Sequence, residues 1–169
     1  MGNLFDLCSQ LAFYKSYHSD RVNVLIHAIF VPTILYSSLV MLYEIKTING
    51  WTAAHLIVGI FSSYYMVLDA KAGALASAIM GCTTHGISNG YLHISVKAAL
   101  ALFSAGWISQ FIGHGVFEHR KPALLDNLAQ SLITAPFLIL FELLFRMGFY
   151  KELQAELIIR VRERRSHLQ

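Results

Sequence analysis

Five apolar stretches, at about residues 22–43, 51–69, 72–92, 97–117 and 128–149, take up most of this 169-residue chain. Each approaches the ~20 residues that an α-helix needs to cross the hydrocarbon core of a bilayer. Within lipid every backbone N–H and C=O must find its partner inside the segment, so helices are the spanning element to expect. Apolar residues make up 56% of the chain and charged residues 14%, against about 25% charged in an ordinary soluble domain. The fold class predicted is therefore all-α: a polytopic integral membrane helical bundle.

Charge fixes the expected topology. Lys15 and Arg21 precede the first stretch, and Arg120 and Lys121 follow the fourth. With the N-terminus cytosolic, four crossings bring both groups to the cytosolic face, as the positive-inside tendency favours. A fifth full crossing would carry Arg160, Arg162, Arg164 and Arg165 to the far side, against the same tendency. Four spans plus a re-entrant or in-plane segment at 128–149 are expected, with Pro136 as the residue that breaks it. The chain reads as one domain, residues 1–169: a cytosolic lead-in over 1–21, the bundle over 22–149, and a basic tail over 150–169. Net charge is +3, and the basic tail suits anionic lipid better than nucleic acid. Small residues such as Gly73 and Ala76 suit close helix packing, within one chain or between two copies.

Cys8 and Cys82 form neither a disulfide framework nor a paired metal motif. No apolar run follows a basic start, so no cleavable signal is expected. Asp6 stands where a myristoylation motif wants Ser or Thr.

Eight histidines in so apolar a chain are the main functional signal, since ionisable groups within a membrane are costly. The topology brings His18, His27, His114 and His119 to one membrane face. His55 and His93 fall toward the other face, His167 lies in the tail, and His85 lies deep in the third stretch. Ser19 or Asp20 is placed to cap the first long helix. Asn23 and His27 are four apart and share a face, as do His114 and Glu118, with Gln110 one turn earlier. Two imidazoles and a carboxylate are the donors of a non-haem Fe(II) site, and zinc accepts the same set. Spacing alone leaves three readings open: a metal site, a buried hydrogen-bond network, and a proton or ion path.

The runs FYKSYHSDRVNVLIHAIFVP (Phe13–Pro32) and, within Trp107–Glu142, QFIGHGVFE, RKPALLDNL and LITAPFLILFELLF also carry a family resemblance. They resemble the 2-hydroxy fatty acid dioxygenases of the endoplasmic reticulum, the fungal phytosphingosine-degradation type. Similarity extends over nearly the whole chain, least clearly at residues 44–96. The resemblance implies a multi-pass protein of that membrane with its site toward the cytosol. It also implies an Fe(2+)-dependent α-oxidation in which a 2-hydroxy fatty acid and O2 give an acid one carbon shorter. The family's motif histidines correspond to His18, His27 and His114, as catalytic metal ligands, with Glu118 beside them and His85 as a further candidate. In such a site Asn23, Gln110 and Asp126 would orient the ligands, and Arg120 and Lys121 would pair with the substrate carboxylate.

Two other classes compete. A di-iron lipid hydroxylase or desaturase needs HxxHH clusters, which this chain lacks. A small transporter or structural membrane protein would use the histidines as relays or packing contacts, without catalytic metal.

Overall fold

The structure is a computed structural model that describes residues 4–119 and 128–166, with the backbone alone described at 128–131 and 164–166. Seven α-helices form among these residues: α1 (Leu7–Tyr17), α2 (Arg21–Tyr43), α3 (Ala53–Leu68), α4 (Ala70–Ser88), α5 (Val96–Ile112), α6 (Leu128–Arg146) and α7 (Lys151–Ser166). A π-helical turn, Gly113–Glu118, continues α5. There is no strand among the described residues. A lone bridge, Lys46 to Thr52, closes the turn between α2 and α3.

All five apolar stretches are helical. By length and apolar composition, two helices among the described residues can cross a membrane: Arg21–Tyr43, and Val96–Glu118 taken through the π turn. A third crossing is available if Leu132–Arg146 and Lys151–Glu163 count as one span, but these two are bent by 117°. At 16 residues, α3 is about 24 Å long at 1.5 Å per residue, shorter than the ~30 Å core. The criterion thus supports a helical membrane bundle with fewer full spans than the four expected. Many large apolar side chains face outward, among them Leu25, Ile29, Ile60, Val67, Leu100, Ile108 and Leu143. Lipid accepts such surface, whereas water would not.

The expected break at Pro136 is displaced. α6 runs through Pro136 without interruption, because a membrane helix tolerates the missing N–H where neighbours satisfy the freed backbone. The chain turns instead at Gly148 (φ 84°) and Tyr150 (φ 55°), in the left-handed region that glycine enters at no steric cost. Beyond the turn, the segment expected as a basic tail is the helix α7.

Two compact units divide the chain. One comprises residues 29–109. Its core is Leu39, Val40, Ala54, Ile87 and Ala99, and α3 and α4 pack together as a hairpin. Asp69 ends α3 and caps α4 by accepting from the Ala72 N–H at 2.7 Å. Gly73 permits the close crossing, since a Cβ there would lie 2.6 Å from the Tyr65 carbonyl carbon and oxygen. The other unit comprises residues 1–28 and 110–169. In it α1 packs on α7 and α6, burying Leu11 and Ala12 of α1, Phe137 and Phe141 of α6, and Leu157 of α7. Phe141 meets Phe137 at 5.2 Å and Tyr150 at 5.1 Å between ring centroids. An ion pair from Arg160 to Asp6 at 2.9 Å joins α7 to the start of α1. The Ser9 hydroxyl and then Arg160 hold the Asp6 carboxyl below its usual range.

Candidate metal centre

Three chain segments of this second unit meet at one buried place. α1 ends at Tyr17, and His18 occupies its C-cap. Asp20 starts α2 by accepting from the Val22 and Asn23 N–H groups at 2.8 and 3.1 Å. His27 follows Asn23 by one turn. The π turn supplies His114, and His119 closes that turn in a left-handed conformation, its N–H bonded to the His114 carbonyl. Such π turns concentrate at functional sites, where they re-aim side chains out of α-helical register.

His18, His27 and His114 form a triangle of rings. Their centroids are 4.3 Å apart for His18 and His27, and 4.9 Å apart for each of the other pairs. All three are buried, with 6%, 5% and 4% exposure. One nitrogen from each lies within 4.8 Å of the others, and among the described residues no other His, Cys, Asp or Glu joins the group.

Backbone carbonyls orient two of the rings. His18 Nδ1–H donates to the Tyr14 carbonyl at 2.7 Å, and His27 Nδ1–H to the Asn23 carbonyl at 2.9 Å. Those bonds assign the tautomer and leave Nε2 of each ring as the lone-pair face. The Tyr14 ring stacks on His18 at 4.0 Å, fixing the imidazole a second time. Burial, with His27 close by, holds the His18 imidazole well below its ordinary pKa, so it is neutral and can donate to a metal.

The polar atoms here are not paired with one another. His18 Nε2, His114 Nδ1, Asn23 Oδ1, Gln110 Nε2 and the Tyr14 hydroxyl are all buried with no hydrogen-bond partner among the described residues. Buried polar atoms are nearly always satisfied, and each exception calls for a reason. A packing network would spend these atoms on each other. Three buried imidazoles whose nitrogens converge, two of them with a ring nitrogen unspent, fit a divalent transition metal, so the donor set suits the group that the sequence led us to expect.

Glu118 is engaged elsewhere. Its Oε1 accepts from the N–H groups of Ser19 and Asp20 at 2.5 and 2.8 Å and from Asn23 Nδ2 at 3.1 Å. Its Oε2 accepts from the Ser19 hydroxyl at 2.9 Å. The carboxylate thus faces the positive start of α2, tying the π turn to the segment that carries His18 and His27. It is a clamp on the site and does not belong to the converging group. Asn23, fully buried, links this clamp to His27, since its side chain binds Glu118 and its carbonyl orients the ring.

Other expected residues lie apart. His119 is exposed and outside the group. His85 belongs to the first-described unit, where it is exposed and bonded to Asn89. In that same unit His55 completes the Thr52 capping box, and His93 pairs with Glu44 at 3.2 Å. Arg120, Lys121, Asp126 and His167 fall outside the described residues. Sequence reasoning passed over Tyr14, and it offered Ser19 as a cap of α2, whereas Asp20 caps that helix and Ser19 donates to Glu118. The signal for Tyr14 was its position four residues before His18, at the end of a helix that was not expected.

Gly113 is where the π turn meets Asn23, because a Cβ there would fall on the Asn23 Oδ1 atom. Gly113→Ala is expected to displace Asn23 and loosen both His27 and Glu118. Metal affinity should drop about 10- to 100-fold, the usual cost of losing an outer partner of a ligand. Gly115→Ala, whose Cβ would meet nothing within 4 Å, should bind metal like the parent. A metal titration of the two purified variants checks this.

Residues 4–147 match the family model described as 2-hydroxy-palmitic acid dioxygenase Mpo1-like. The chain is 46% identical over 154 residues to the 2-hydroxy-palmitic acid dioxygenase MPO1 of Saccharomyces cerevisiae, covering 91% of this chain and 88% of that protein. No solved structure matches the chain. The family match includes His18, His27, His114 and Glu118.

Proposed function

Since the chain belongs to the 2-hydroxy-palmitic acid dioxygenase Mpo1-like family, we propose that it oxidises 2-hydroxy fatty acids with O2 to acids one carbon shorter, using Fe(II) held by His18, His27 and His114. The observation that carries this reading is the convergence of three buried imidazoles, with a nitrogen of His18 and one of His114 left unspent. A transporter or packing reading leaves those atoms unexplained. Bound there, iron would supply coordination positions at which O2 and the α-hydroxy acid meet.

The protein's own residues do the rest. The Tyr14 and Asn23 carbonyls hold two imidazoles in one tautomer. Glu118, through Ser19, Asp20 and Asn23, fixes the segments that carry them, while Gln110, one turn before His114, keeps a buried amide nitrogen without a partner among the described residues. Burial of the cluster keeps bulk water from competing with O2. Arg120 and Lys121 follow the π turn closely in sequence and suit the substrate carboxylate; Asp126 belongs with them as an orienting group. An acyl chain partitions into lipid while its carboxylate and hydroxyl stay near the headgroups, which suits a site at a membrane face.

This reading places the protein in the endoplasmic reticulum membrane, its site toward the cytosol, in breakdown of the 2-hydroxy acids derived from phytosphingosine. Four crossings, with the short α3 and the less apolar α4 as two of them and the α6–α7 bend re-entrant, satisfy the charge distribution. The overall chemistry closes without an external reductant: one 2-hydroxy acid and one O2 give the shorter acid, CO2 and water.

The test is turnover of 2-hydroxypalmitate by detergent-purified, iron-loaded protein, with oxygen uptake and product mass followed together. Pentadecanoate formed in step with O2 consumed is the expected result. Unchanged substrate under air, with folded and iron-loaded protein, would refute the proposal.

A further inference from the structure

A second polar site lies where α6 bends into α7. A cavity of about 410 Å³ opens there against α1, with Lys15, Glu142, Arg146 and Arg162 around it and Leu157 and Val161 among its apolar lining. Lys15 and Glu142 form an ion pair at 2.5 Å and cancel each other. Arg146 and Arg162, both exposed, have no acidic partner among the described residues. The cavity therefore combines two uncompensated guanidinium groups with an apolar wall. Arg164 and Arg165 continue the basic run in sequence, and exposed Leu143, Met147 and Phe149 flank the bend.

We propose that this cavity binds the phosphate of an anionic membrane phospholipid, with Arg146 and Arg162 as its cationic contacts. Guanidinium groups offer several N–H donors in a planar fork that suits phosphate oxygens. A soluble anion would have no use for the apolar wall, whereas a phospholipid brings acyl chains along with its charge. Bound lipid would brace α7 against α1 and α6. The site shares none of its lining with the histidine cluster, so it rests on the membrane reading and not on the chemistry proposed above.

The experiment is native mass spectrometry of the detergent-purified full chain, titrated with phosphatidylglycerol, with phosphatidylcholine, and with inorganic phosphate. Phosphatidylglycerol should be retained in preference to phosphatidylcholine. Its affinity should fall about tenfold or more in the Arg146→Gln/Arg162→Gln variant, at roughly 1 kcal/mol per cation, two of which give about 30-fold. The Lys71→Gln/Lys97→Gln variant removes the same charge from elsewhere and should bind like the parent. Equal phosphatidylglycerol retention in both variants, or no preference over phosphatidylcholine, would overturn the site. Inorganic phosphate binding with the same arginine dependence and displacing the lipid would overturn the lipid assignment. A parent released from membranes by salt or alkali without detergent would sink the membrane reading itself, a failure distinct from loss of the site.

Discussion

Replacing His114 or His27 by alanine is expected to remove iron and to take turnover of 2-hydroxypalmitate below about one hundredth of the parent's. Loss of an outer partner already costs 10- to 100-fold, and a converging donor counts for more. The protein should nonetheless fold. Both side chains are buried, but an alanine exchanges an unspent polar atom at His114 for apolar surface, which does not leave a new orphan. Iron content and oxygen uptake, read beside the far-UV spectrum of each variant, separate loss of the site from loss of the fold. Full activity in either variant would dismiss the three-histidine assignment.

Glu118 should behave in the opposite manner. Its carboxylate accepts four hydrogen bonds from Ser19, Asp20 and Asn23. Glu118→Ala leaves those donors at the start of α2 without their acceptor, at about 1–3 kcal/mol for each one that stays buried. A destabilisation of about 3 kcal/mol is expected, seen as a thermal unfolding midpoint lowered by several degrees in detergent. Glu118→Gln keeps an acceptor oxygen and should cost about 1 kcal/mol while retaining most of the iron. Were Glu118 a direct ligand, Gln would instead strip the metal with little change in the midpoint. The two measurements distinguish a clamp from a ligand.

That His18, His27 and His114 meet is readable in the sequence, because hydropathy alone carries the two histidine segments to one face of a bundle. The role of Glu118 is not. A spacing of four residues tells that His114 and Glu118 share a helix face, but the donors that claim the carboxylate lie 95 to 99 residues away in sequence. His119 fails to join the cluster for a local reason, since it sits past the π turn in a left-handed conformation. α7 escaped notice because its apolar residues are spread around the helix among many charges, Ile158 and Ile159 being exposed, and give no periodic signal. Leu157 is buried, and Glu156 and Arg160, one turn apart, pair at 2.6 Å. The position of the bend was misjudged by weighting Pro136 over Gly148, although a glycine just past a helix is the stronger stop signal. Proline in an apolar helix mostly kinks without ending it.

The measurement that bears most directly on the metal centre is the iron content of the detergent-purified parent, prepared without added chelator and followed through oxygen-dependent turnover. Stoichiometric iron is expected, removed by a chelator together with activity and restored with it when Fe(II) is returned. A folded protein that turns over 2-hydroxypalmitate at full rate after the iron has been removed would contradict it.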